Sequence, residues 1–331
     1  KDKKYERNAA KNVMMPGMAK ARHLHVEDRE IRMAEDAASF PINRVEMNST
    51  EIGVITSGIP YQYVKEVLPD ASVLKLGLVN PLPKNMIREF ASKVKTLYIV
   101  EELDPIIEEQ VKAMGIACIG KEIFTVQGEY SANMIRKAIL KQDLQIEPAA
   151  QVPNRPPILC PGCPHRSTFY VLKKLGLHAA ADIGCYTLGA VAPLGVVDST
   201  VCMGASITMA KGASEMGIFP AMAVIGDGTF GHSGMTGLLD CVNEKANVVV
   251  FILDNNITGM TGGQPSSANQ KIERIVEALG VDPAHIRSIE PLPKNHAEFV
   301  KMIEEEVAYN GVSVIIPRRT CLVELKKHLN K

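Results

Sequence analysis

The chemistry legible in this chain of 331 residues sits in two polar stretches and four thiols. Asp227 lies in Gly226-Asp227-Gly228-Thr229, directly behind the apolar run 221–225, and Asn255 lies in Asn255-Asn256, close behind the apolar run 248–253. Twenty-six residues separate Gly228 from Asn255. If the two runs are neighbouring strands, the Asp227 carboxylate, the Asn255 amide oxygen and the backbone carbonyl near Ile257 converge on one hard cation. Such all-oxygen coordination, completed by diphosphate oxygens, suits Mg²⁺. Gly226 and Gly228 let the backbone approach the phosphates, and the start of the following helix favours their negative charge. Taken alone, Gly-Asp-Gly is a weak signal, because it is also common hairpin chemistry.

Cys160 and Cys163 form a Cys-x-x-Cys, Cys185 ends Asp-Ile-Gly-Cys, and Cys321 follows Arg-Arg-Thr. A Cys-x-x-Cys suits zinc, a redox dithiol or an iron–sulfur cluster. The chain has seven cysteines. An odd count without a secretory signal argues for reduced thiols or metal ligands rather than disulfides. Cys118, Cys202 and Cys241 lie in apolar runs and are expected in the core. His165 and Arg166, directly after the Cys-x-x-Cys, face a substrate carboxylate, a cofactor or an anion, or else cap the local structure. His232 reads as an exposed turn residue.

The elements that must position these residues alternate between strand and helix. Residues 1–45 read as a helical lead-in interrupted at Pro16. Over 46–150, strand and helix patterns succeed one another, with helices after Gly58 and over 104–115, and imply a small parallel sheet wrapped by helices. Six prolines between 147 and 164 mark a domain boundary. From 158 to 331 the pattern is again α/β, with strands ending at Gly-Asp-Gly and at Asn-Asn and a late strand before Cys321. Ligands of open parallel sheets bind beyond the carboxyl ends of the strands, which is where both polar stretches fall. Basic and acidic residues balance at 37 each, so nothing asks for nucleic acid or an anionic membrane surface. No apolar run reaches the roughly 20 residues of a membrane span, and the default location is the cytoplasm. The chain opens on Lys1 inside a charged run and reads as a piece of a longer protein.

Gly-Asp-Gly, the interval and Asn-Asn together match the thiamine diphosphate motif. Thr261-Gly262-Gly263-Gln264, right behind Asn-Asn, resembles a mark of the 2-oxoacid:ferredoxin oxidoreductases. The stretch 201–213 resembles the segment that places a bulky residue under the thiamine cofactor to hold it bent; Met203 matches that residue and Gly204 follows it. The runs MMPGMAKARH, GVITSGIPYQYV and PPILCPGCPHR, in one continuous order, resemble the large (α) subunit of indolepyruvate:ferredoxin oxidoreductases. In the pyruvate and 2-oxoglutarate enzymes a glycine usually stands where Pro164 follows Cys163 here.

The resemblance implies two doubly wound α/β domains, a transketolase-C-like domain followed by a thiamine diphosphate-binding domain. It implies cofactor contacts from Gly204, Gly226, Asp227, Gly228, Thr229, Asn255, Ile257, Thr261, Gly262 and Gly263, with Mg²⁺ on Asp227, Asn255 and Ile257. Met203 and His165 are its catalytic candidates. Cys160, Cys163, Cys185 and Cys321 fall where related enzymes hold a [4Fe–4S] cluster; zinc, or no metal, stays open. The implied reaction converts arylpyruvates and coenzyme A to aryl-acetyl-CoA and CO₂ and passes electrons to ferredoxin, with a smaller β subunit as partner. A pyrimidine-binding domain before Lys1 and a ferredoxin-like domain after Lys331 are expected, so that the chain alone is inactive. Oxidation of another 2-oxoacid, a non-redox thiamine-dependent decarboxylase and a zinc-stabilised binding subunit are the competing readings.

Overall fold

The computed structural model describes residues 4–143 and 151–329. The reading of Pro148 as part of the domain boundary lies outside the described residues. The chain divides into two compact units, Lys1–Gln151 and Val152–Lys331.

In the first unit, α1 (Ala9–Asn12) and α2 (Pro16–Asp36) form the lead-in. Pro16 takes the first position of α2, where its missing N–H costs no hydrogen bond. The sheet of β1 (Arg44–Glu46), β2 (Ser49–Ser57), β3 (Ala71–Leu76) and β4 (Thr96–Val100) has the order β1-β3-β2-β4. β2 runs parallel to β3 and β4, whereas β1 pairs antiparallel with β3. The expected parallel sheet therefore carries one antiparallel edge strand, too short and too charged to announce itself. Helices α3 (Pro60–Val67), α4 (Lys84–Ala91), α5 (Ile106–Ala113) and α6 (Ala132–Leu140) cover it. Successive strand residues point to opposite faces. Val54 and Val73 thus join the core under α3 and α6, while Ile55 and Leu74 join the one with Ile87, Phe90 and Ile107.

The second unit is built on six parallel strands: β5 (Ala179–Ala181), β6 (Val197–Thr200), β7 (Ala221–Gly226), β8 (Val248–Leu253), β11 (Ile286–Ile289) and β12 (Val312–Pro317). Their order is β11-β12-β8-β7-β5-β6. All residues of β7, β8 and β12 are buried, which explains why they read as unbroken apolar runs rather than alternating ones. Phe251, Val224 and Ile315 fill one face with Phe169 and Phe299, and Val250, Ile252 and Val314 fill the other with Ile207 and Leu238. Each such side chain contributes about 1.5–3 kcal/mol on burial. Helices α7 (His165–Lys174), α8 (Ala205–Glu215), α9 (Asp227–Thr229), α10 (Met235–Asn243), α11 (Ile272–Ala278), α12 (His296–Ala308) and α13 (Leu322–Leu329) complete the unit, with a two-stranded hairpin of β9 (Ile257–Thr258) and β10 (Gln264–Pro265).

Two details differ from the sequence expectation. Gly226-Asp227-Gly228 is not a turn: Asp227 starts a helical segment that passes through a π-helical turn, Phe230–Gly234, into α10. His232 is exposed, but inside that π turn. Of the three cysteines expected in the core, Cys241 is buried and Cys118 half-buried, whereas Cys202 is exposed, because it lies in the loop beyond β6. Among the described residues no helix is long and apolar enough to cross a membrane.

Candidate functional site

Because the strands are parallel, the segments leaving β5, β6, β7, β8 and β12 gather at one edge of the sheet. Chain order also reverses there: β6 lies outside β5, and β7 returns to its other side. The crevice at such a switch point is where open α/β sheets bind ligands.

A cavity of about 310 Å³ opens at this edge, lined among others by Met203, Asp227, Thr229, Asn255 and Thr261. Gly226, Gly228 and Ile257 line it too. Neither glycine has positive φ; both are required by crowding. A Cβ at Gly226 would stand 2.6 Å from the Tyr186 ring, and one at Gly228 2.5 Å from Thr258 Oγ1. Gly204 is different: it precedes α8 with φ +91°, and a Cβ there would meet Ser233. Met203 is 40% exposed and outside any helix, so it is not packed as helix core.

The acidic groups of this cavity are strained electrostatically. Asp227 is buried, and its Oδ2 has no hydrogen-bond partner. Burial, and then the neighbouring Asp254, push its pKa up to about 7; the Gly228 N–H and the Ser266 hydroxyl partly offset them. Asp182, at the end of β5, accepts the Ser206 N–H at 2.6 Å, yet its Oδ2 is also buried without a partner. Burial raises its pKa. An orphaned buried carboxylate oxygen beside a cradle that admits no Cβ fits a cation carrying a diphosphate, which would supply the missing charge partner.

Asn255 is buried and its amide is engaged at both ends. Oδ1 accepts the Ile257 N–H at 3.2 Å, and Nδ2 lies 3.2 Å from His165 Nε2. His165 is itself buried, and burial lowers its pKa to about 4. A neutral imidazole so placed offers no positive charge to a carboxylate. Arg166, beside it, donates through Nη1 to the Leu159 carbonyl at 3.0 Å.

A second cavity, of about 330 Å³, is lined by Cys160, Cys163, Cys185 and Cys321 together. Cys160 and Cys163 flank a tight turn: Cys163 N–H donates to Cys160 carbonyl at 3.0 Å, with Pro161 second and Gly162 third at φ +75°. That pattern belongs to a type II turn, and a Cβ at Gly162 would also meet Leu322 at 2.8 Å. Burial raises the Cys163 pKa to about 11, and the other three thiols raise it further, against a backbone N–H that lowers it. Gly262 and Gly263 line this cavity rather than the carboxylate one, because the β9–β10 hairpin carries them over the cysteines. Among the described residues no three His, Cys, Asp or Glu side chains are gathered to hold a single metal ion. A tetrahedral zinc would need sulfurs about 3.8 Å apart, given Zn–S bonds near 2.3 Å.

The two cavities share a wall made of His165, Cys185, Asn255, Ile257 and Gly259. A strap fixes one side of it. Arg319 N–H donates to the Asp254 carbonyl, Cys321 N–H to the Asn255 carbonyl, and Asn256 Nδ2 to Thr320 Oγ1, at 2.9, 3.1 and 2.9 Å. Arg318 Nε donates to the buried Asp254 Oδ2 at 2.6 Å, and its remaining nitrogens donate to both Glu273 oxygens. Asp182, Asp254 and Tyr186, whose hydroxyl lies 2.9 Å from Thr229 Oγ1, were not singled out from the sequence. The signal for the two aspartates was present: each directly follows an apolar run, as Gly226-Asp227 does.

Residues 182–316 match the thiamine pyrophosphate enzyme family, C-terminal TPP-binding domain. The chain is 34% identical to indolepyruvate oxidoreductase subunit IorA of Archaeoglobus fulgidus, with 96% of this chain and 56% of that one covered. It is 32% identical to the subunit of the same name from Pyrococcus abyssi and 33% to that of Methanothermobacter thermautotrophicus, covering 56% and 57% of them. The chain thus spans little more than half the length of the curated relatives it matches. Over the part that it spans, this chain belongs with the IorA subunits of indolepyruvate oxidoreductases, among the thiamine pyrophosphate enzymes.

Proposed function

We propose that this chain provides the thiamine diphosphate- and Mg²⁺-binding part of an indolepyruvate:ferredoxin oxidoreductase. In it, Cys160, Cys163, Cys185 and Cys321 hold a [4Fe–4S] cluster. The whole enzyme would convert an arylpyruvate and coenzyme A to aryl-acetyl-CoA and CO₂ and reduce ferredoxin, with a smaller β subunit completing the assembly in the cytoplasm. The observation that carries this reading is the shared wall: a carboxylate-lined cavity and a four-cysteine cavity meet at the same edge of one sheet.

When bound, thiamine diphosphate supplies a carbanion equivalent for decarboxylation, and an iron–sulfur cluster takes electrons singly. The chain's own residues do the rest. Asp227, the Asn255 amide oxygen and the Ile257 carbonyl hold the cation. Gly226, Gly228 and Thr229 let the diphosphate approach, with Gly204 and Thr261 closing the same crevice. Met203 stands where a bulky side chain can support the ring system. The thiols must lose their protons to bind iron, so loading releases protons and is disfavoured at low pH. A wide ring of cavity-lining sulfurs, with no tight single-ion cluster, supports a multinuclear group over zinc.

The test uses the full-length parent chain with its partner subunit, prepared without oxygen. Coenzyme A-dependent ferredoxin reduction is compared with indolepyruvate and with pyruvate, and iron and acid-labile sulfide are measured. Preference for indolepyruvate with both elements present is the expected result. Preference for pyruvate moves the protein to a sister activity, and zinc in place of iron and sulfide overturns the cluster. Asp227→Ala should abolish Mg²⁺-dependent cofactor binding.

A further inference from the structure

His165 begins α7, directly behind the cysteine turn, yet the polar atom it faces belongs to the other cavity's ligand set: Asn255 Nδ2 at 3.2 Å. We infer that His165 is a positioning residue that fixes which end of the Asn255 amide faces the cation.

An amide has a donor end and an acceptor end, and only the acceptor end can bind a cation. Oxygen and nitrogen are nearly the same size, so packing alone does not choose between the two orientations; hydrogen bonds do. At Asn255 two contacts decide it, and they agree. The Ile257 N–H is a donor, 3.2 Å from Oδ1, so it requires oxygen on its side. That leaves Nδ2 toward His165, where Nε2 accepts and the ring proton resides on Nδ1. Turning the amide over would set NH₂ against the Ile257 N–H and present NH₂ to the cation. Asn255 is 6% exposed and His165 4%, so solvent has little access to replace either contact. The backbone of Asn255 is pinned independently, its carbonyl accepting the Cys321 N–H at 3.1 Å. The freedom left to the residue is therefore rotation of its side chain, and His165 removes it. Residues that orient a metal ligand through a hydrogen bond in this way typically matter by 10–100-fold in metal affinity (about that range on removal).

This inference rests on the assignment of Asn255 as a cation ligand, and the experiment separates the two. Affinity of the full chain for Mn²⁺, as a paramagnetic substitute for Mg²⁺, is measured by electron paramagnetic resonance in the presence of thiamine diphosphate. Wild type is compared with His165→Ala, His165→Gln and Asn255→Ala. His165→Ala should weaken Mn²⁺ binding about 10–100-fold, and His165→Gln, whose amide oxygen can reach the position of Nε2 and accept the same hydrogen bond, should recover most of the loss. A merely structural role would give equal losses for Ala and Gln, and thermal melting of the metal-free variants reads any loss of folding directly. If Asn255→Ala leaves Mn²⁺ affinity unchanged, the cation-ligand assignment fails. If Asn255→Ala weakens binding while His165→Ala does not, or if Gln fails to rescue, the positioning role is overturned.

Discussion

Arg318 offers the sharpest test of how the site edge is held. Its Nε donates to Asp254 Oδ2 at 2.6 Å, and the Asp254 side chain is 0% exposed. Among the described residues Arg318 is the cation paired with this carboxylate. Arg318→Met keeps the aliphatic stem and removes the charge, leaving a buried anion whose other stated contact is the Asn256 N–H. Breaking a buried pair from one side costs about 3–5 kcal/mol. Arg318 itself is 36% exposed, so water reaches the vacated place and the expected loss is near the lower end, about 3 kcal/mol. The Glu273 half of the network is 38% exposed and adds at most about 1 kcal/mol. Urea denaturation of the metal-free chain measures the loss, followed by circular dichroism because the chain has no tryptophan. In the cycle with Asp254→Asn, the double variant should lose less than Arg318→Met alone, since no charge remains to be stranded. A loss under about 1 kcal/mol, or a double variant that loses more, would refute the view that a desolvated Asp254 depends on Arg318.

Three further outcomes are expected. Gly228→Ala should destabilise the second unit by about 1–3 kcal/mol and weaken cofactor binding, because its Cβ would lie 2.5 Å from Thr258 Oγ1; pairing it with Thr258→Ala should restore part of the loss in a melting experiment. The Tyr61 hydroxyl, with Lys65 and Arg44, holds the Glu46 carboxyl at about 2, below its ordinary 4.5. Its contribution is therefore complete above pH 4.5 and is lost as pH falls toward 2, and Glu46→Gln should flatten acid unfolding of the first unit in that window. Phe251→Ala, in the middle of β8 at 0% exposure, should cost about 3–5 kcal/mol by denaturant titration.

What the sequence made legible follows from the strength of local signals. β7 and β8 are continuous apolar runs, so the polar residues ending them, Asp227 and Asn255, stood out at once. Asp182 occupies the same kind of position but follows Ala179–Ala181, and alanine carries little strand signal. The hairpin bearing Thr261 has strands of two residues each, below what any periodicity reveals, and so the transfer of Gly262 and Gly263 to the cysteine cavity was not foreseen. Arg318 finds Asp254 across 64 residues and Glu273 across 45. That pairing exists only because β12 lies beside β8, a fact of sheet order that no local pattern encodes. Cys202 looked apolar in context, but its neighbours Val201 and Met203 are exposed as well.

The π-helical turn Phe230–Gly234 bears on how chains of this kind can vary in length. A π turn accommodates one residue more than an α turn, and each residue advances a helix by about 100°. Deleting one residue there would restore regular winding but rotate all of α10 by that angle, swinging the buried Leu238 and Cys241 out of the core. An insertion within β8 would exchange its two buried faces. Between the aspartate and the asparagine, then, the place free to gain or lose residues is the short connection 244–247, and alignment gaps between relatives should collect there.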